Sequence, residues 1–190
     1  MEHECCWGKV TPLMKEYHDN EWGIPLHDDN KLFEFLILEG FQAGLSWSTI
    51  LNKREAFRVA FDQFNPAIIA GYDGSKVEEL LQNPAIVRNR LKIEAAIVNA
   101  RAFLKVQDEF GSFDRYIWQF TDNKPLANSF RTLKELPPRT ELSDTLSADL
   151  KKRGFKFVGS TIVYAHMQAT GMVNDHLIHC HRYTEIISDY

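Results

Sequence analysis

The chain has 190 residues, a formal net charge of −4 and three cysteines. That suits one compact domain over 1–190 in a reducing cytoplasm and leaves too few cysteines for a secreted disulfide framework. No apolar run is long enough to span a membrane, Glu2 and Glu4 stand where a signal peptide needs positive charge, and the acidic balance argues against non-specific coating of nucleic acid.

In chain order the pattern is helical nearly throughout, and the class expected is all-α. "DDNKLFEFLILEGFQAG" (28–44) opens on capping residues and continues with apolar residues on more than one face, as a buried helix does. "WSTILNKREAFRVAFDQF" (47–64) repeats apolar residues at helical spacing up to Asn65–Pro66. "SKVEELL" (75–81) begins with a capping-box spacing, Ser75 to Glu78. The longest pattern, 87–107, sets Leu91, Ala95, Val98 and Ala102 along one side, and 112–120 is a shorter candidate. A connector marked by Pro125, Pro137 and Pro138 leads to two further helices, 143–154 and 159–171. No internal repeat or run of alternating strands interrupts this series.

The join between the last two helices, "RGFKFVGST", carries a chemical possibility. Gly154 suits the left-handed residue that ends a helix, and Gly159 opens the next, leaving first-turn amides free to meet a phosphate. Lys151, Lys152, Arg153 and Lys156 surround it with no acid between them, and Arg88, Arg90 and Lys92 form a second basic cluster. An ordinary helix pair with solvated cationic ends has the same sequence features.

Both termini gather nitrogen and sulfur. Cys5 and His18 lie near one end; His176 and Cys180, spaced i, i+4, share one side of a helical turn near the other. Two thiolates and two neutral imidazoles make a closed tetrahedral zinc site, structural because no position is left for water. The alternative is a polar tail beside a buried thiol.

Four blocks, "YHDNEWG" (17–23), "LEGFQAGLSW" (38–47), "KKRGFKFVG" (151–159) and "VNDH" (173–176), together resemble the 3-methyladenine DNA glycosylase I family, the Tag type of the helix-hairpin-helix glycosylases. The likeness runs from about Cys5 to Cys180. It implies a two-lobed all-α fold with a DNA cleft, the helix-hairpin-helix at about 143–171, and structural zinc on Cys5, His18, His176 and Cys180. It implies a monofunctional enzyme that flips 3-methyladenine out of alkylated double-stranded DNA and releases it as the free base. Glu39 is implied at the base, with Tyr17, Trp22 and Trp47 as stacking faces and Met14 on the pocket wall, where the family commonly has tyrosine. Trp7, next to the implied zinc-binding end, is a weaker candidate for the same pocket. Gly44 and Leu45 would fill the gap left in the stack, against core packing as the plain reading of Leu45. Lys151, Lys152, Lys156 and Gly159 would hold the backbone. Asn174 stands where many superfamily relatives place a catalytic aspartate, and Asp175 is a candidate to orient a zinc ligand. No partner chain is called for, so a monomer is expected. A non-enzymatic zinc-stabilised DNA-binding module, or a zinc hydrolase with an open metal position, are the competing readings.

Overall fold

The structure, a computed structural model, describes residue 7 and residues 11–189. Cys5 therefore lies outside the described residues. Helices α1 (Pro12–Asn20) and α2 (Asp29–Gln42) are followed by two short ones, α3 (Trp47–Leu51) and α4 (Arg54–Ala60). Then come α5 (Pro66–Ile69), α6 (Gly74–Gln82), the long α7 (Arg90–Phe110) and α8 (Phe113–Trp118). After the connector, α9 (Glu141–Lys152), α10 (Ser160–Ala169) and α11 (His181–Asp189) complete the series.

The starts follow local chemistry. Thr11 accepts a hydrogen bond from the Met14 amide at 3.2 Å while Pro12 takes the first turn, so α1 begins where an N–H would otherwise be orphaned. Asp28 caps α2 through the Lys31 amide at 2.9 Å. At α9 the Thr140 and Ser143 side chains cap each other's backbone amides, serine doing what glutamate usually does in a capping box.

Helix α2 is buried at every position from Leu32 to Phe41 and packs against α3, α7, α8 and α10. Its apolar circumference explains why: a helix hydrophobic on all sides is stable only inside. Phe33, Phe41, Phe57, Phe61, Phe103 and Phe113 form edge-to-face and stacked contacts around it. Deleting one such ring typically costs about 3–5 kcal/mol. Glu39 is thus held on a helix buried along most of its length.

Several expectations are corrected. The stretch 47–64 is two helices, broken at Asn52–Lys53, and a 3-10 turn over Asp62–Phe64, where all three residues take positive φ. The cap of α6 is Asp73, which accepts from the Lys76 amide; Ser75 already lies inside the helix. Leu91 is 69% exposed, and the buried side of α7 runs through Ile93, Ala96, Ile97, Ala100 and Phe103. The fold is mostly helical but includes one minimal parallel pair, Leu126–Ala127 against Val173–Asn174. That pair anchors the connector to the chain just before His176.

Candidate functional site

Met14 and Tyr17 from α1, Trp22 from the turn after it, Glu39 and Gln42 from α2, and Trp47 from the start of α3 line one cavity of about 310 Å³ with Trp7, Leu136, Ala165 and Gln168. Every pocket residue expected from the sequence is brought together there. The rings contact one another in series. Trp7 meets Trp22 edge-on at 5.1 Å and Tyr17 at 5.9 Å, and Tyr17 lies 5.3 Å from Trp47. Trp47 is in turn stacked on Phe35. A slot walled this way favours a flat, electron-poor ring.

Glu39 is 4% exposed, and no described residue donates a hydrogen bond to it or pairs with its charge. Burial alone pushes its pKa up to about 8, so the carboxyl is largely protonated at neutral pH while the slot holds no cation. Burial and the neighbouring Glu39 together hold the Tyr17 phenol well above its usual range. The indole N–H of Trp47 is buried without a partner among the described residues. These groups are costly to leave unmatched, and a polar ligand in the slot relieves that cost.

Behind the slot stands the histidine–cysteine cluster. His18, His176 and Cys180 are buried with their donor atoms within 4.8 Å of one another. Cys180 Sγ lies 3.8 Å from His18 Nε2 and 3.5 Å from His176 Nδ1. Zinc–nitrogen and zinc–sulfur bonds in a tetrahedron imply edges of about 3.5 Å. The tautomers also fit. His18 Nδ1 is hydrogen-bonded to Asp19 at 2.7 Å, and His176 Nε2 donates to the Trp22 carbonyl at 2.9 Å, so both inward nitrogens present lone pairs. Burial depresses both imidazole pKa values, His176 to about 3, which keeps them neutral. Cys180 is disulfide-bonded in this structure, unlike the free thiolate expected. A disulfide and a metal compete for the same sulfur, so zinc there requires the reduced form. Asp175 has no part in the cluster; it accepts from Asn128, Tyr164 and Gln168, and Asp19 takes the orienting role instead. Asn174 is likewise occupied, receiving the His176 amide and donating to the Tyr183 carbonyl.

The α2–α3 loop and the α9–α10 turn flank the slot. A second cavity of about 210 Å³ lies between Gly44–Leu45 and Thr161–Ile162 and shares Glu39, Gln42 and Ala165 with the first. Gly44 adopts φ +80°, which projects the loop, and Leu45 is 41% exposed, so it is not core packing. In the turn, Gly154 has φ +95° as its position predicts, and Phe155 and Val158 are buried. Lys151, Lys152 and Lys156 are exposed and pair with no carboxylate among the described residues. Arg153 is different, bonded to Asp149 and Glu109 and lying over Phe110 and Tyr116. Lys92 also leaves the basic surface. Its buried ammonium donates to the Phe41 and Ala43 carbonyls at 2.8 and 2.6 Å, capping α2 just before Gly44.

Compared with known proteins, the sequence matches the methyladenine glycosylase family over residues 7–183. The chain belongs to that family. It is 50% identical to DNA-3-methyladenine glycosylase 1 of Escherichia coli (strain K12) over 176 residues, 93% of this chain and 94% of that one. It is similar to a crystal structure of 3-methyladenine DNA glycosylase I with a TM-score of 0.90 and 51% identity, covering 93% of this chain and 97% of the other. A variant of 3-methyladenine DNA glycosylase I in complex with 3-methyladenine matches with a TM-score of 0.91 and 36% identity, over 94% and 96% of the two chains.

In this methyladenine glycosylase, the supporting roles of four residues were not read from the sequence: Asp19, Lys92, Asn99 and Gln168. Asn99 and Lys156 are 57 positions apart, and Lys92 and Phe41 are 51, separations that neither periodicity nor spacing reveals. Only Asp19 had a local cue, its adjacency to His18 within "YHDNEWG".

Proposed function

We propose that the chain hydrolyses the N-glycosidic bond of 3-methyladenine in alkylated double-stranded DNA, releasing the free base and leaving an abasic site. The observation that carries this is Glu39, a buried carboxyl with no partner among the described residues, inside a slot of aromatic faces. A base inside a duplex cannot reach such a slot, so the nucleotide is flipped out. Leu45, at the exposed tip after Gly44, takes the vacated place in the stack, and Lys151, Lys152 and Lys156 with the Gly159 end of α10 hold the backbone. The α9–α10 pair acts as the helix-hairpin-helix grip, and the duplex lies across the cleft between two lobes of one domain.

The substrate base is cationic, and its glycosidic bond is already weak. Tyr17, Trp22 and Trp47 stack on the flat ring, Met14 offers its sulfur, and Trp7 closes the edge-on wall. A bound cation draws the Glu39 proton off, because an opposite charge nearby favours the carboxylate. As the bond breaks, its electron pair passes to the departing base, which leaves neutral, and the sugar carbon takes on oxocarbenium character. Water adds to that carbon and loses a proton. No lysine precedes "VNDH" as a Schiff-base nucleophile, so the strand stays uncut. A purely DNA-binding role would leave the slot and Glu39 without a use.

Zinc would be held by His18, His176 and Cys180 together with Cys5. It supplies no chemistry to the reaction; it fixes the chain ends as a structural ion does. Trp22 is the link to activity. Its carbonyl accepts from His176, and its ring lies 4.6 Å from that imidazole while also lining the slot. The protein acts as a monomer in the reducing cytoplasm; among the described residues no helix is long and apolar enough to cross a membrane. The test is chromatography of bases released from methylated duplex: 3-methyladenine appears, and its absence with folded protein refutes the function.

A further inference from the structure

Gln168 sits in the last turn of α10 and lines the aromatic slot. Its Nε2 donates to Asp175 Oδ2 at 2.8 Å. Asp175 is fully buried, and its carboxylate is met by two more side chains, Asn128 Nδ2 at 2.7 Å and the Tyr164 hydroxyl at 2.6 Å. All three partners donate, and both Asp175 oxygens are taken up accepting from them. Gln168 therefore cannot turn its amide end for end without setting one oxygen against another. The remaining atom, Oε1, receives no hydrogen bond from any described residue and is not sealed away from the slot.

We propose that Gln168 is a specificity-determining residue: held by Asp175, its Oε1 accepts the exocyclic amino group of the flipped adenine and rejects a 6-oxo purine. This rests on the proposed function. Glu39 alone does not draw that distinction, because its carboxyl, protonated near neutral pH in the empty slot, can donate to a 6-oxo group as readily as it accepts from an amino group once ionised. An acceptor that no proton can reverse is needed beside it, and a glutamine whose nitrogen is already committed supplies one. Sites built around a fixed hydrogen bond discriminate far more sharply than apolar walls, because the mismatched ligand leaves a buried group unpaired. Asp175 is in this sense a positioning residue for recognition of the base, acting through Gln168.

The test is binding of two free bases, 3-methyladenine with a 6-amino group and 3-methylhypoxanthine with a 6-oxo group and one added ring N–H. The wild-type protein is expected to prefer the amino base. Gln168→Leu keeps the side chain's bulk and narrows the preference about tenfold, the loss of one well-aligned hydrogen bond. Asp175→Asn, in which the Gln168 amide is free to turn over, narrows it likewise; Gln168→Leu still decides the matter if Asp175→Asn does not fold. Gln168→Leu protein that weakens both bases equally, or keeps the full preference, overturns the proposal, as does wild-type protein that binds both bases equally well. A folded Asp175→Asn protein with wild-type preference removes the positioning role. Wild-type protein that binds neither base takes away the functional reading itself, and the inference with it.

Discussion

Asn99 holds both backbone polar groups of Lys156: its Nδ2 donates to the Lys156 carbonyl at 3.0 Å, and its Oδ1 accepts from the Lys156 amide at 2.7 Å. The side chain is buried in α7, so the core of the protein grips the turn that presents the lysines. Ser147, bonded to the Val158 carbonyl at 2.6 Å, holds the other side. Asn99→Ala removes both hydrogen bonds to the partly buried Lys156 backbone and is expected to lower stability by about 1–3 kcal/mol. Urea unfolding measures that loss. Affinity for undamaged duplex should fall with it, because the turn is no longer preset.

Neutralising Lys151, Lys152 and Lys156 together should weaken binding to every duplex alike. Each phosphate contact contributes about 0.9 to the slope of log affinity against log salt, so the slope should become shallower by roughly 2–3. Fluorescence anisotropy across a salt series reads it. Unchanged binding would make the three lysines a solvated helix end.

Protein purified under reducing conditions without added metal should carry roughly one zinc per chain, as one closed four-ligand site requires. Elemental analysis and a free-thiol count distinguish this from a metal-free disulfide at Cys180. His176→Ala should lose the metal and, through Trp22, depress base binding as well. Zinc-free reduced protein with full stability would remove the metal from the account.

The pocket was legible through the family resemblance, which two short blocks carry. "YHDNEWG" and "LEGFQAGLSW" place Tyr17, Trp22, Glu39, Leu45 and Trp47 within 31 positions, and all but Leu45 line one cavity. The supporting residues were not, since Asn99, Lys92 and Gln168 act through partners fixed only by tertiary packing. Leu91 shows the same limit from the other side. Its spacing fits a helical face shared with Ala95, Val98 and Ala102, yet that face lies roughly opposite Ile93, Ile97 and Ala100, which enter the core. The break between α3 and α4 at Asn52–Lys53 carries no glycine or proline to announce it.

Glu39 should cost the empty protein stability as pH rises. Its native pKa of about 8 lies above the ordinary 4.5, so the native state holds the proton longer than the unfolded chain does. Stability from this group is complete below pH 4.5 and is lost as pH climbs towards 8. Glu39→Gln, which cannot ionise, should therefore melt higher than wild type at pH 8, with the gap shrinking toward pH 6. Equal melting curves across that range would mean that the carboxyl is not buried as described.

Binding of a cationic base should show the opposite trend. Below pH 8 the Glu39 proton must leave before the carboxylate can meet the cation, so affinity for a cationic purine should rise with pH up to about 8 and then level off. In Glu39→Gln protein the dependence should vanish. Calorimetry in buffers of different ionisation enthalpy would detect the released proton directly.

The most direct measurement of the central claim is single-turnover release of 3-methyladenine from methylated duplex by wild-type and Glu39→Gln proteins of equal folded fraction. Removing a charge-assisted hydrogen bond in a partly desolvated slot should cost about 1.5–3 kcal/mol. The wild type is predicted to free the base and leave the strand uncut, with Glu39→Gln slower by roughly ten- to a hundredfold. Full speed in Glu39→Gln would contradict the assignment of the slot, and wild-type protein that releases no 3-methyladenine would contradict the account as a whole.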